Sequence, residues 1–327
     1  MSFFRKPSTR KLGAKILLMG PPGCGKTQCG LSFPKIYALD SETGIAFYEG
    51  EAENLLGIAN TQDFNELNEA MDEISDMVKE DPSSIGSFMI DSETKFYQNL
   101  TDAALTLEEK KARSKGKDEM DTNISVRGWG RIKSVATRLQ NLKLDLSAKG
   151  VNVISIAQSE DVKEKIGDNY IKVGEKPVMA KGAPFDYDII IKLFVEKDTK
   201  GEFHYKGEIL KDRTKVCKVG QVIDNPSYLV WKDHLEGRKG ERIDSNLADD
   251  AEKAITTLES KVNKEEMNTV DRFRELVSKS DAHKEATLKL VKEAKIANPL
   301  SPKDAKEVQK IDEIIKEVEA LELDKSA

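Results

Sequence analysis

Gly20-Pro21-Pro22-Gly23-Cys24-Gly25-Lys26-Thr27 lies between the apolar run Ala14 to Met19 and a helical pattern that opens at Lys26 and continues to Phe33. A strand, a glycine-rich loop and a helix therefore follow one another. Gly20, Gly23 and Gly25 carry no Cβ, so successive backbone N–H groups can curl around phosphate oxygens. Lys26 can set an ammonium on the outer phosphates, and Thr27 can offer a hydroxyl to a magnesium ion. The pattern predicts a P-loop for ATP with Mg2+, formed by Gly20, Pro21, Pro22, Gly23, Cys24, Gly25, Lys26, Thr27 and Gln28. Cys24 stands where only backbone faces the ligand and is expected to be a tolerated small residue.

Outward from this loop, short apolar runs alternate with helical patterns. A strand is expected at Ile36 to Leu39, then a helix near Asp63, where Asp63 and Glu66 form a capping box. Ser87 to Ile90 reads as a strand, followed by a charged helical stretch to about Lys111. Ile132, Val135, Leu139, Leu142 and Leu146 recur at spacings of three and four, so residues 127–146 are expected as an amphipathic helix leading into the buried strand Val151 to Ala157. Strands alternating with helices imply an α/β fold with a mostly parallel sheet and helices on both faces. At the carboxyl ends of such strands, side chains face the ligand crevice. Asp91, closing Ser87-Phe88-Met89-Ile90, then suits a carboxylate that positions magnesium, and Glu42 in Leu39-Asp40-Ser41-Glu42-Thr43-Gly44 could polarise the attacking water.

Beyond Gln158, strands at Tyr170 to Val173, Asp188 to Val195 and Phe203 to Leu210 suggest an antiparallel extension of the sheet, with the last placed beyond Val151 to Ala157, on the edge away from Lys26. From Asn246 the chain turns helical and highly charged, with Leu247, Ala251, Ile255, Leu258 and Val262 on one face. Ser301-Pro302 is expected to open a final helix carrying Val308, Ile311, Ile315 and Val318. The expected organisation is a basic arm at 1–13, a core at 14–240 and a helical region at 246–327.

The net charge is −6, but residues 241–327 carry 21 acidic against 16 basic side chains, whereas residues 1–240 carry 37 against 36. A near-neutral core sets up no global field for nucleic acid, so any DNA contact must come from local basic segments. Three cysteines without paired spacing argue against a disulfide framework or a zinc site and suit a reducing compartment; His204, His234 and His283 show no ligand spacing. No stretch is apolar enough to span a bilayer, and the N-terminus lacks a signal-peptide core, so a soluble intracellular protein without membrane partners is expected. Trp129 and Trp231 are expected in a core or interface.

The order of these motifs resembles the RecA-like core ATPases, particularly the short RecA-like phage proteins assigned to single-strand annealing and recombination. The resemblance covers about residues 12–225 and rests on the P-loop, on Asp40 and Glu42 closing the second strand, on Asp91-Ser92, and on Gln158 ending Val153-Ile154-Ser155-Ile156-Ala157. It implies a RecA-like P-loop core and an ATPase in the host bacterial cytoplasm. It further implies that Glu42 is the catalytic glutamate and that Gln158 senses the terminal phosphate. Lys211-Asp212-Arg213 looks like the K-x-R pair that relatives insert into a neighbouring subunit's ATP site, so a homo-oligomer, ring or filament, is implied. Two basic segments, both expected as loops, fall where such proteins face DNA: Lys110, Lys111, Arg113, Lys115 and Lys117, and, after Gln158, Lys163, Lys165, Lys172, Lys176 and Lys181 with Tyr170. The expected partner is single-stranded DNA, with a phage replication or recombination protein recruited by the charged tail. Two readings stay open beside it: a helicase-like, loading or packaging motor, and a nucleotide-dependent switch that binds protein and not DNA.

Overall fold

The computed structural model describes residues 6–243 apart from 119 and 168, residues 247, 250, 253 and 254, and residues 269–320. The chain divides into two compact units, Met1–Ala248 and Asp249–Ala327. The first contains strands β1 (Lys15–Gly20), β2 (Ile36–Asp40), β3 (Leu55–Asn60), β4 (Ser87–Asp91), β5 (Asn152–Ile166), β6 (Asn169–Pro177), β7 (Ile189–Lys197), β8 (Phe203–Asp212) and β9 (Val222–Asp224). Its helices are α1 (Lys26–Leu31), α2 (Phe64–Glu80), α3 (Glu93–Ser114), α4 (Val126–Ala148) and α5 (Lys232–Glu236).

The sheet order is β3-β2-β4-β5-β1-β7-β8-β9. Neighbours from β3 to β7 run parallel, and β8 and β9 add antiparallel strands at one edge. β1 is buried at every residue, as expected of a central parallel strand covered on both faces. Its side chains alternate between two cores. Ile16 and Leu18 pack with Cys29 and Leu31 of α1, whereas Leu17 and Met19 pack with Met179 and Tyr187. On β4 and β5, Phe88, Ile90 and Val153 pack against Leu67, Met71 and Ile74 of α2 and Leu139, Leu142 and Leu146 of α4. Helices therefore cover both faces, and Asp63 caps α2 by accepting from Asn65 N and Glu66 N.

Three local expectations are corrected, and one strand is added. β7 runs parallel to β1, so the antiparallel part of the main sheet begins only at β8. β8 stands two strands from β1 on the side opposite β5, and so lies beside the glycine loop rather than beyond β5. Tyr170 to Val173 belongs to β6, which pairs only with the outer half of β5 as a hairpin off the main sheet. The edge strand β3, half-buried with Gly57 at its centre, carries too weak an apolar alternation to be read from sequence.

In the second unit, α6 (Thr269–Lys279), α7 (Asp281–Glu293) and α8 (Ala305–Glu319) share a core of Phe273, Leu276, Val291, Ile311, Ile315 and Val318. α8 begins later than Ser301-Pro302 predicts, because the Asp304 carboxylate accepts from both Lys306 N and Glu307 N and is the stronger cap. Of the face expected from Leu247, the positions Ala251, Ile255, Leu258 and Val262 lie outside the described residues. Among the described residues no helix is long and apolar enough to cross a membrane.

Candidate active site

The glycine loop leaves β1 at Gly20, where a Cβ would sit 2.3 Å from Leu193 O of β7, so only glycine lets the loop rest on that strand. Gly25 precedes α1 with φ 85°, a left-handed conformation that other residues rarely adopt. Pro21, Pro22 and Gly23 are exposed, whereas Cys24 is buried. Burial pushes the Cys24 thiol up despite the pull of Lys26, and it pushes Cys29 to about 12, so neither is disposed to act as a thiolate. Lys26 Nζ donates to Pro21 O at 2.7 Å and to Gly20 O at 3.0 Å, which holds the ammonium over the loop.

Parallel register lines the other groups up beside the loop. Asp40 of β2 is level with Asp91 of β4, and Gly20 of β1 with Gln158 of β5. Thr27 Oγ1 donates to Asp91 Oδ2 at 2.6 Å. Burial pushes the Asp91 carboxyl up to about 6; the Thr27 hydrogen bond opposes this, and the nearby charges of Glu42 and Asp40 add to it. A hydroxyl and a carboxylate side by side, with further acids behind them, are hard oxygen donors. Such a set fits Mg2+, which is usually held by one or two protein oxygens together with phosphates and waters.

Asp40 is buried and accepts from Glu42 N at 3.1 Å, Gly44 N at 3.2 Å and Ile45 N at 2.8 Å. It therefore shapes the turn that carries Glu42, a positioning task that the motif itself does not reveal. Ser41 ties this turn to β4, with Ser41 N donating to Asp91 O at 2.7 Å and Ser92 N donating to Ser41 Oγ at 2.8 Å. The exposed Glu42 carboxylate is held at one oxygen: Oε1 accepts from Ser92 Oγ at 2.7 Å and from Gln158 Nε2 at 3.4 Å. The Ser92 hydroxyl is thus a second group assigned no task from sequence. Gln158 N donates to Thr94 Oγ1 at 2.9 Å, and Thr94 Oγ1 donates to Val178 O at 2.8 Å, so both ends of the hairpin are anchored here.

The two basic segments are not loops. α3 runs on to Ser114, so Lys110, Lys111 and Arg113 lie on a helix, with Lys111 paired to Glu108 at 2.9 Å, and only Lys115 and Lys117 follow it. The reason is that Ala103, Ala104 and Ala112 continue a helix-favouring composition that the lysines do not interrupt. Lys163, Lys165, Lys172 and Lys176 lie on the β5–β6 hairpin. Lys163 faces Lys172 and Lys165 faces Tyr170 across the strands. Lys172 pairs with Asp161 and Glu175, both at 2.7 Å, and Lys176 with Glu160 at 3.1 Å, whereas Lys163 and Lys165 are exposed and in no ion pair among the described residues. Lys181 is exposed on the turn after the hairpin.

Lys211 and Arg213 lie at the far edge of the sheet. Because β8 is antiparallel, Lys211 is level with Ile190 near the start of β7. Lys211 Nζ donates to Phe185 O at 2.8 Å, and Arg213 Nη1 donates to Asp188 Oδ1 at 3.1 Å, the carboxylate that also holds Lys15. On the β7–β8 turn, Asp198, Glu202 and His204 converge at the surface, but Asp198 Oδ1 is already used by Lys200 N and Glu202 N. Trp231 is buried and donates to Asp212; Trp129 is half-exposed on α4.

No curated protein matches the chain. Residues 12–226, more than half of the chain, match the family model AAA_24, described as an AAA domain. With the loop, the paired strand-end acids and the parallel sheet all inside that span, the chain belongs to this family of AAA-type P-loop ATPases.

Proposed function

We propose that the chain binds ATP with Mg2+ at subunit interfaces, hydrolyses it, and couples the cycle to single-stranded DNA, as a RecA-like protein of phage recombination or replication. The observation that carries this reading is the Gln158–Glu42 hydrogen bond at the foot of a projecting hairpin. Lys26 would balance charge on the outer phosphates, and Thr27 and Asp91 would hold Mg2+, which neutralises charge developing between the outer phosphates. Glu42 takes a proton from the attacking water, and Ser92 keeps its carboxylate in place for that task. Loss of the terminal phosphate changes what Gln158 and Glu42 face. Since β5 continues as one strand from Gln158 into the hairpin, with a bulge between Val162 and Lys163, a shift there is passed to Lys163, Lys165 and Tyr170. A lysine pair beside an exposed aromatic suits the backbone and base of a single strand.

Lys211 and Arg213 stand too far round the sheet to serve their own P-loop, which supports contact with a neighbour's phosphates. The test is ATP turnover with and without single-stranded DNA across a salt series. Stimulation is expected, with binding that weakens steeply as salt rises, and Lys163→Ala with Lys165→Ala should flatten that slope by about two. No binding by the parent at low salt would sink the DNA reading and favour a switch that acts on protein.

A further inference from the structure

Beside the glycine loop lies a cavity of ≈ 150 Å³ whose lining joins Gly25, Gln28 and Cys29 to Leu193 of β7, Tyr205 of β8 and the Asn225–Pro226 turn. Gly25 marks its floor. A Cβ built there would meet Tyr205 Cδ1 at 3.2 Å and Cε1 at 3.7 Å, with Gln28 Oε1 at 3.9 Å. The tyrosine ring thus packs closely on a residue that has no side chain, with the Gln28 amide beside it, and the cavity opens next to this contact.

Two features make this a built site. Tyr205 is fixed from both sides, level with Val195 across β7, and its carbonyl accepts from Asn225 N at 2.8 Å. Pro226 is buried on Gly207, where a Cβ would lie 3.0 Å from Pro226 Cγ, so the lip of the cavity is rigid as well. Tyr205 nonetheless keeps 42% of its surface exposed. Asn225, in the left-handed conformation at φ 46°, is exposed at the rim. An aromatic ring with side-chain amides around it is the chemistry of a nucleobase site. Stacking supplies affinity, and an amide offers a carbonyl and an NH2 side by side, matching the adjacent N7 acceptor and N6 amino donor of adenine but only half of guanine's N7 and O6 pair.

We infer that this cavity receives the adenine base of the nucleotide, stacked on Tyr205 and read at its edge by the amides of Gln28 and Asn225. The assignment rests on the phosphate site proposed above, because one ligand must reach both from Gly25. The antiparallel edge is then part of the nucleotide site: β8 delivers Tyr205 to the P-loop from a sequence distance of 180 residues (205 less 25).

The test compares ATP, GTP and inorganic tripolyphosphate, each with Mg2+, by titration calorimetry on the full chain. The parent should bind ATP more tightly than GTP or tripolyphosphate. Tyr205→Ala should weaken ATP on the order of 10-fold to 100-fold, the scale of one aromatic–base stack, and change tripolyphosphate by less than about twofold. Tyr205→Trp should restore ATP binding and show indole quenching with ATP but not with tripolyphosphate, which also decides the matter if the alanine variant fails to fold. Equal loss for ATP and tripolyphosphate in Tyr205→Ala, or no loss for either, overturns the base site. If the parent binds neither ligand, the phosphate site itself is wrong and the base site falls with it. Retention of both by Lys26→Ala sinks the phosphate reading separately.

Discussion

Glu42→Gln should leave ATP binding within about threefold of the parent and slow hydrolysis by roughly 10² to 10⁴. The structure makes the two effects separable. Ser92 Oγ and Gln158 Nε2 both donate to Glu42 Oε1, and an amide carbonyl can go on accepting from both. The side chain therefore stays where it is while its basicity disappears. Losing a general base costs about 3–5 kcal/mol of transition-state stabilisation, at about 1.4 kcal/mol per decade. Binding has a reason to hold as well. The Glu42 charge is one of the influences that push the Asp91 carboxyl up, so its removal leaves Asp91 more readily ionised and no worse a partner for a cation. Single-turnover phosphate release at saturating ATP, set beside calorimetric binding, measures both quantities. Release within about twofold of the parent would move the base elsewhere. Loss of ATP binding would instead make Glu42 a structural member of the turn that Asp40 shapes.

Lys26→Ala should weaken ATP at least about 100-fold while the melting temperature changes little, because the lost bond to Pro21 O is exposed and that to Gly20 O only part-buried; normal binding would refute the P-loop assignment. Lys143→Met should cost about 3–5 kcal/mol, since Glu93 would stay fully buried with neutral partners such as Tyr187 and Gln140 but without its counter-charge. In the parent, Lys143 and Tyr187 overcome burial and hold the Glu93 carboxyl below its usual range, so that contribution is present above the unfolded pKa and lost as pH falls through the folded one. In the variant, burial loses its main opponent, the Lys143 charge, and folding takes up a proton, so the gap in urea midpoint should narrow as pH falls from about 8 to about 5; a constant gap would refute an ionised pair. Arg213→Ala should bind ATP nearly normally yet hydrolyse poorly, and mixing it with Glu42→Gln should restore part of the activity where an intact Glu42 meets an intact Arg213 across an interface. No recovery in a verified mixed assembly would reduce Arg213 to its ion pair with Asp188.

The elements that are legible in the sequence are those whose burial is two-sided or strongly one-sided. β1, β4 and the inner half of β5 are continuous apolar runs because parallel strands are covered on both faces, and α4 shows its stripe because Leu139, Leu142 and Leu146 all enter one core. The less legible elements are half-exposed. β3 alternates weakly at the sheet edge, and the β5–β6 hairpin has almost no buried face, so its lysines read as a loop although most of them are cross-strand partners. The 110–117 run fails for a different reason. Charge says nothing about backbone geometry, and lysine and arginine are good helix formers, so α3 carries on through Lys110, Lys111 and Arg113.

Strand direction explains which parts of the site could be read and which could not. Gly20, Asp40, Asp91 and Gln158 are far apart in sequence, yet each closes the sheet-bound part of a parallel strand, and the register sets Asp40 level with Asp91 and Gly20 level with Gln158, two residues further along. A residue type at the end of a parallel strand is therefore already a statement about position. The same rule misplaces anything on an antiparallel strand. Lys211 lies at the end of β8 and Arg213 just past it, and ending β8 means arriving at the edge where the parallel strands begin. Tyr205 lies near the start of β8, in a stretch with no motif, and the reversal brings it to Gly25. The K-x-R pair carries the conspicuous chemistry and the tyrosine the inconspicuous one, but direction brings the tyrosine to this chain's own P-loop and leaves the cations bound to Phe185 O and Asp188 at the opposite end of the strands.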